Sequence, residues 1–100
     1  MVRVINSELT EILRREIQEY AGDVATPIGN AQFFYTENLD KRVFCVVVPH
    51  LSPNLPASLL LMAHIVDDRI VIDIDTTEKP LVDALRQAGI PQGQLVLAWQ

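Results

Sequence analysis

The chain has 100 residues, 49% of them hydrophobic and 21% charged, which fits one globular domain over residues 1–100. The 8 Lys and Arg stand against 13 Asp and Glu, so the formal charge is −5. This balance argues against direct nucleic-acid binding, which needs a basic surface to neutralise phosphates. We predict a cytoplasmic protein without membrane contact, because the sequence has a single cysteine and no signal-peptide pattern. It also has no apolar run that approaches the roughly 20 residues needed to span a bilayer.

Residues 8–21 are predicted to form the first helix. Apolar side chains recur there at steps of three and four residues, which places them on one face of a helix. Asn6 or Ser7 can cap its first turn, and Gly22 provides a stop. One face of this helix is therefore expected to pack on a core.

The pattern then changes to the period of two that is typical of strands. We predict strands over four segments, which are residues 31–36, 42–48, 58–66 and 69–75. A hairpin loop over 37–41 joins the first two, a loop with three prolines follows Val48, and Asp67-Asp68 forms a two-residue turn. An antiparallel meander is the simplest arrangement of these strands.

A second helix and a last strand complete the domain. Thr76 or Thr77 can cap this helix, with Pro80 in its first turn. The segment Ala88-Gly-Ile-Pro91 has the form of a Schellman helix end, and residues 95–99 return as a strand. The predicted order is α-β-β-β-β-α-β, an α+β fold with a mainly antiparallel meander sheet and two helices.

Two of the strands are apolar on both faces, at residues 43–48 and 59–63. Two short helices cover little more than one face of such a sheet, so we expect a homodimer or partner interface to cover the other. The alternative is that the loop over 49–57 and the N-terminal residues fold over that face. The predicted interface residues are Val43, Cys45, Val47, Leu59, Leu61 and Ala63.

Possible sites of chemistry are few. Strict alternation over 69–75 places Asp73 and Asp75 on one face, about 7 Å apart, where they could hold Mg²⁺ or act in acid–base catalysis. The alternative is a solvated strand face. Cys45, His50 and His64 lack the usual zinc-ligand spacings, and Cys45 lies in an apolar strand typical of an inert thiol. We therefore expect no catalytic residue, no metal and no cofactor.

The second half of the sequence resembles a known family. The segment from Asp67 to Glu78 (Asp-Asp-Arg-Ile-Val-Ile-Asp-Ile-Asp-Thr-Thr-Glu), Ala88-Gly-Ile-Pro91 and Leu95-Val-Leu-Ala-Trp99 resemble the XisI-like family, the fdxN element excision controlling factors of cyanobacteria. The match has no gap over residues 67–99, about a third of the chain. This chain differs from the family pattern at Asp68 and Thr76, where the family often has glycine, and it has no His-Pro-Pro motif after Trp99.

The resemblance implies a small α+β protein without known catalysis. It also implies a role in controlling the excision of a DNA element, together with an XisH-like protein partner of nuclease fold. Because the chain is acidic, we expect any effect on DNA to run through that partner. Two alternatives remain open, an acidic chaperone-like binding module and a Mg²⁺-dependent enzyme that uses Asp73 and Asp75.

Overall fold

The computed structural model describes residues 3–27 and 29–100. It confirms the α+β class, with two helices, six strands and a short 3₁₀ turn in the order α-β-β-β-β-β-α-β. The elements in chain order are α1 (Asn6–Gln18), β1 (Gly22–Thr26), β2 (Gly29–Asn38), β3 (Val43–Val48), β4 (Ser58–Val66), β5 (Arg69–Asp75), α2 (Leu81–Gln87), the 3₁₀ turn (Gln92–Gln94) and β6 (Leu95–Leu97).

The six strands form one sheet in which each strand lies beside its neighbours in sequence. Strands β1 to β5 are an antiparallel meander. The last strand, β6, runs parallel to β5 and is reached through α2, as a parallel pair requires a crossover connection. The sequence analysis missed β1, whose segment Gly-Asp-Val-Ala-Thr has too few β-branched residues to stand out.

The core lies on one face of the sheet, beneath the two helices. Both helices supply side chains with no exposed surface, among them Leu9, Leu13 and Ile17 from α1 and Leu81 and Leu85 from α2. They pack in one cluster with sheet residues such as Phe44 and Ile72. Each fully buried side chain of this size contributes about 1.5–3 kcal/mol, so this one layer supplies most of the stabilising burial.

Two predicted chain reversals are present. Val66 pairs with Arg69 across the turn Asp67-Asp68, and Asp67 takes a positive φ of 56°. Helix α2 ends in the Schellman arrangement, in which Ile90 N–H donates to the Leu85 carbonyl (3.1 Å) and Gly89 has a φ of 102°. These two reversals fix where the helix and the β4–β5 hairpin end.

The side chain of Gln94 attaches the N-terminal segment to the sheet. It is 1% exposed, accepts the Val4 N–H at 2.8 Å, and donates to the carbonyls of Val4 (2.9 Å) and Asp68 (2.8 Å). Arg3 makes an ion pair with the Asp68 carboxylate beside it. These bonds satisfy the buried amide, and they hold residues 3 and 4 against the β4–β5 turn.

Two β-bulges change which side chains share a face. Leu60 is the extra residue in β4, because Val46 pairs with Leu61 and Val47 with Leu59. Asp73 is the extra residue in β5, because Met62 pairs with Ile74 and Ala63 with Ile72. A one-residue offset moves every following side chain to the other face, so strict alternation fails in both strands.

Candidate functional site: the uncovered face of the sheet

The face of the sheet opposite the helices is apolar and uncovered, and we call it the open face. It consists of Phe34, Val43, Cys45, Val47, Leu59, Met62, His64, Val71, Asp73, Ile74 and Val96, placed by register and by burial. None of these residues is buried. Phe34 is 50% exposed and Leu59 37% exposed, although large hydrophobic side chains of this kind are usually inside.

Strand pairing sets the open-face side chains in three rows. Phe34, Val47 and Leu59 form one row, and Cys45, Met62 and Ile74 form the next. The third row runs through Val43, His64, Val71 and Val96. Side chains that lie opposite one another on neighbouring strands are in contact range, so the three rows make one continuous surface.

The six predicted interface residues divide between the two faces. Val43, Cys45, Val47 and Leu59 lie on the open face. The other two, Leu61 and Ala63, are 0% exposed and lie in the core. Their prediction as surface residues is wrong, because the bulge at Leu60 places Leu59 and Leu61 on opposite faces.

Sequence analysis also missed part of this surface. Phe34, Met62 and Val71 lie on it through their pairing with residues of β3 and β4. Pairing register was the missing information, since the sequence of a single strand does not show which of its side chains share a face with those of its neighbours.

The predicted pair of carboxylates is not a pair. Asp73 lies on the open face, where His64 Nδ1 is 2.6 Å from its Oδ2. Asp75 lies on the helix side, where its oxygens accept the N–H groups of Leu81 (2.7 Å) and Thr77 (2.9 Å) and the Thr77 hydroxyl (2.6 Å). The prediction that they share a face is wrong, because the bulge at Asp73 reverses the direction of Asp75.

This arrangement also changes the predicted start of α2. Neither Thr76 nor Thr77 caps the helix, which begins after Pro80. Asp75, six residues before Leu81, supplies the oxygen that the first-turn N–H requires. Its carboxylate is thus fully used by contacts that hold the β5–α2 connection.

Metal-ligating and nucleophilic groups are scattered. Within residues 3–27 and 29–100, no three His, Cys, Asp or Glu side chains are placed to hold a metal ion together. Burial, together with the nearby charge of Asp73, raises the pKa of the Cys45 thiol. A raised pKa leaves little reactive thiolate at neutral pH, so Cys45 is a poor nucleophile.

The described residues of the two segments proposed as a cover leave Phe34 and Leu59 of the open face exposed. Val4 packs against the helix-side core cluster and is bonded to Gln94, so the described N-terminal residues lie on the other side. With the loop over 49–57 in place, Phe34 and Leu59 keep the exposures given above. Within the part of the chain that the structure describes, the open face therefore stays accessible at these side chains.

Comparison with known proteins shows which solved structures share this fold. No family model and no curated protein matches the chain. A crystal structure of a XisI-like protein from Anabaena variabilis ATCC 29413 superposes with a TM-score of 0.83, covering 94% of this chain and 86% of that one at 17% identity. The chain has the fold of XisI-like proteins.

A second solved structure agrees. The fdxN element excision controlling factor XisI from the same organism gives a TM-score of 0.74 at 17% identity, over 94% of this chain and 91% of that one. The resemblance of residues 67–99 to XisI-like proteins is thus confirmed at the level of fold. Among the described residues, both helices are too short or too polar to cross a bilayer.

Proposed function

We propose that residues 1–100 form a single XisI-like domain that acts as a non-catalytic accessory factor in controlling the excision of a DNA element. It works through protein contacts, with an XisH-like protein as partner, and without touching DNA itself. The observation that carries this proposal is the open face, a large apolar surface in a chain that has the fold of an excision controlling factor. Contiguous exposed apolar patches mark sites of protein association.

The remaining chemistry supports a binding role. Asp73 and Asp75 face opposite sides of the sheet, and Cys45 has a raised pKa, so the groups considered for catalysis do not converge. The net charge of −5 opposes a phosphate backbone. An effect on DNA is best carried by a partner protein.

We further propose that the open face pairs two copies of this chain. Its one carboxylate, Asp73, has His64 Nδ1 2.6 Å from its Oδ2, so this group has a hydrogen-bonding partner within the face and does not need one from a second copy. The accessible surface is 6199 Å², whereas a compact monomer of 11.2 kDa has about 5,700 Å². The excess of about 500 Å² shows that the fold leaves more surface uncovered than a compact monomer of the same mass does.

The oligomer is tested by solution mass. Light scattering should give twice 11.2 kDa for the wild type, and Val47→Asp should reduce this to one copy, because it places an unpaired charge at the centre of the interface. Leu39→Asp is the matched control, since Leu39 is 54% exposed in the hairpin loop and should leave the mass unchanged. A wild type that still has the mass of one copy at roughly 100 μM would contradict the dimer, because a binding free energy of about −8 kcal/mol already gives a Kd near 1 μM.

The role on DNA is tested in two assays. Co-expression with an XisH-like protein should give a stable complex on gel filtration. Filter binding of duplex DNA should show no tight binding by this chain alone. Tight binding at low salt with a steep salt dependence would show phosphate contacts and contradict an action through protein alone.

A further inference from the structure

A second surface lies on the helix side of the sheet, around Tyr20. Two clefts meet there. One, of 430 Å³, lies between the helices beside Glu16 and Glu19. The other, of 440 Å³, has Val24, Phe33 and Leu60 among its walls. Tyr20 and Lys79 line both clefts, so we treat the two as one feature, the Tyr20 groove.

The groove exists because the helices are shorter than the strands beneath them. Helix α1 ends at Gln18, whereas β2 continues as a ten-residue strand paired with β1. Phe33 and Leu60 are left half-buried at the margin of the core cluster. The Tyr20 hydroxyl donates to the Lys79 carbonyl at 2.7 Å and forms the boundary between the two clefts.

The groove has apolar walls and an acidic rim. Glu19 has no ion-pair partner among the described residues, and Glu16 is bonded only to Arg15, at 3.2 Å. Lys79 is the single basic side chain among the described lining residues of the two clefts. Burial raises the pKa of Tyr20, and the negative charges of Asp75, Glu16 and Asp83 raise it further, which is the electrostatic signature of an excess of carboxylates.

We propose that the Tyr20 groove binds a short segment of a protein partner that carries apolar side chains beside lysine or arginine. The apolar side chains would occupy the cleft walled by Val24, Phe33 and Leu60, and the basic groups would lie against Glu16 and Glu19. Charge complementarity selects this occupant, because an acidic or neutral segment would leave Glu19 without the cationic partner that it also lacks among the described residues. The inference rests on the proposed action through a protein partner, but it uses the face opposite the proposed dimer interface.

The test uses the full chain and three synthetic nine-residue peptides. The probe alternates leucine with lysine or arginine, one control has glutamate at every basic position, and the other has serine at every leucine. We expect the probe to bind more tightly than both controls and to shift the amide NMR signals of Tyr20, Phe33 and Leu60. The absence of shifts at millimolar probe, equal binding of either control, or shifts centred on Val47 would overturn the proposal.

Matched charge variants separate a site from general attraction to an acidic protein. Glu19→Gln should weaken probe binding by about 1.5- to 5-fold, the range of one exposed ion pair. Glu8→Gln, on the same helix but in its first turn, changes the net charge equally and should weaken binding less than 1.5-fold. Equal losses would overturn the proposal. If the probe does not bind but the wild type still has the mass of a dimer, the result counts against the groove alone. The two proposals are separable because the dimer is measured by the solution mass of variants on the opposite face.

Discussion

Replacing Asp75 by alanine tests the local geometry that decides against a paired carboxylate site. In the wild type the two oxygens of Asp75 accept three hydrogen bonds, from the N–H of Leu81, the N–H of Thr77 and the hydroxyl of Thr77. Alanine removes all three acceptors at once. The first turn of α2 and the connection that precedes it should therefore lose their fixed geometry.

The expected cost follows from the exposure of these groups. Loss of the acceptor for Leu81 is the loss of a helix cap, typically about 1 kcal/mol. Hydrogen bonds to a charged group contribute more than neutral ones, but water can reach the Thr77 groups and recover part of their energy, leaving about 1–2 kcal/mol for the two. The sum is about 2–3 kcal/mol, or a fall in Tm of about 10–20 °C for a domain of this size.

Thermal and urea unfolding followed by circular dichroism measure this cost, and Asp73→Ala provides the control. Asp73 has one partner, His64, and both side chains are partly exposed, so its replacement should cost less than about 1 kcal/mol. Equal losses for the two variants would refute the placement of Asp75. A second result would also refute this placement: Mg²⁺ raises the Tm of the wild type but not the Tm of either variant. Such a rise would mean that both carboxylates bind the ion, because ligand binding to the native state raises its stability.

Three further outcomes are expected. Gln94→Ala should cost about 1–3 kcal/mol in urea unfolding, because it leaves the part-buried N–H and C=O of Val4 without these partners. A hydrogen bond from Tyr35 is the main cause that holds the pKa of Glu37 below its ordinary value of 4.5. The resulting stabilisation of the fold is present above pH about 4.5 and is lost as the pH falls through the lowered pKa. Glu37→Gln should therefore make the free energy of unfolding depend less on pH in that acid range. Cys45, with its raised pKa, should react with iodoacetamide at pH 7.5 several-fold more slowly than a cysteine peptide.

Each of these outcomes has a control. Gln92→Ala changes an exposed glutamine of the same 3₁₀ turn and should leave stability within about 0.5 kcal/mol; a similar loss for Gln92 and Gln94 would refute the role of the buried amide. Glu8→Gln should keep the wild-type acid profile, and a flattened profile there would contradict the assignment to Glu37. Alkylation of native Cys45 as fast as in 6 M urea would contradict its shielding on the sheet.

Local signals in the sequence predicted most elements of the fold. The Schellman end at Gly89 and the two-residue turn at Asp67 depend on a few neighbouring residues, and both are present. Helix α1 begins and ends two to three residues earlier than the predicted range of 8–21. The predicted cap at Asn6 or Ser7 is wrong, because both residues lie inside the helix and Ile5 stands at its N-terminal boundary without a side-chain hydrogen bond. Features set by neighbouring residues could be predicted well.

Features set by strand pairing could not be predicted from the sequence. The bulges at Leu60 and Asp73 are visible only when two strands are placed side by side, since each extra residue has an ordinary side chain. They alone account for the wrong placement of Leu61, Ala63 and Asp75. The apolar face itself was predictable, because a strand with apolar side chains on both sides shows from its own sequence that both faces of the sheet are apolar there.

The attachment of Val4 to Gln94 joins residues 90 positions apart in the chain. During synthesis, α1 leaves the ribosome long before Gln94 exists, so its entry point cannot be secured until nearly all of the sheet has been made. Contacts of such sequence separation also slow folding in a purified chain. A nascent chain halted before residue 94 would thus lack the side chain that holds Val4, two residues before the start of α1, in place.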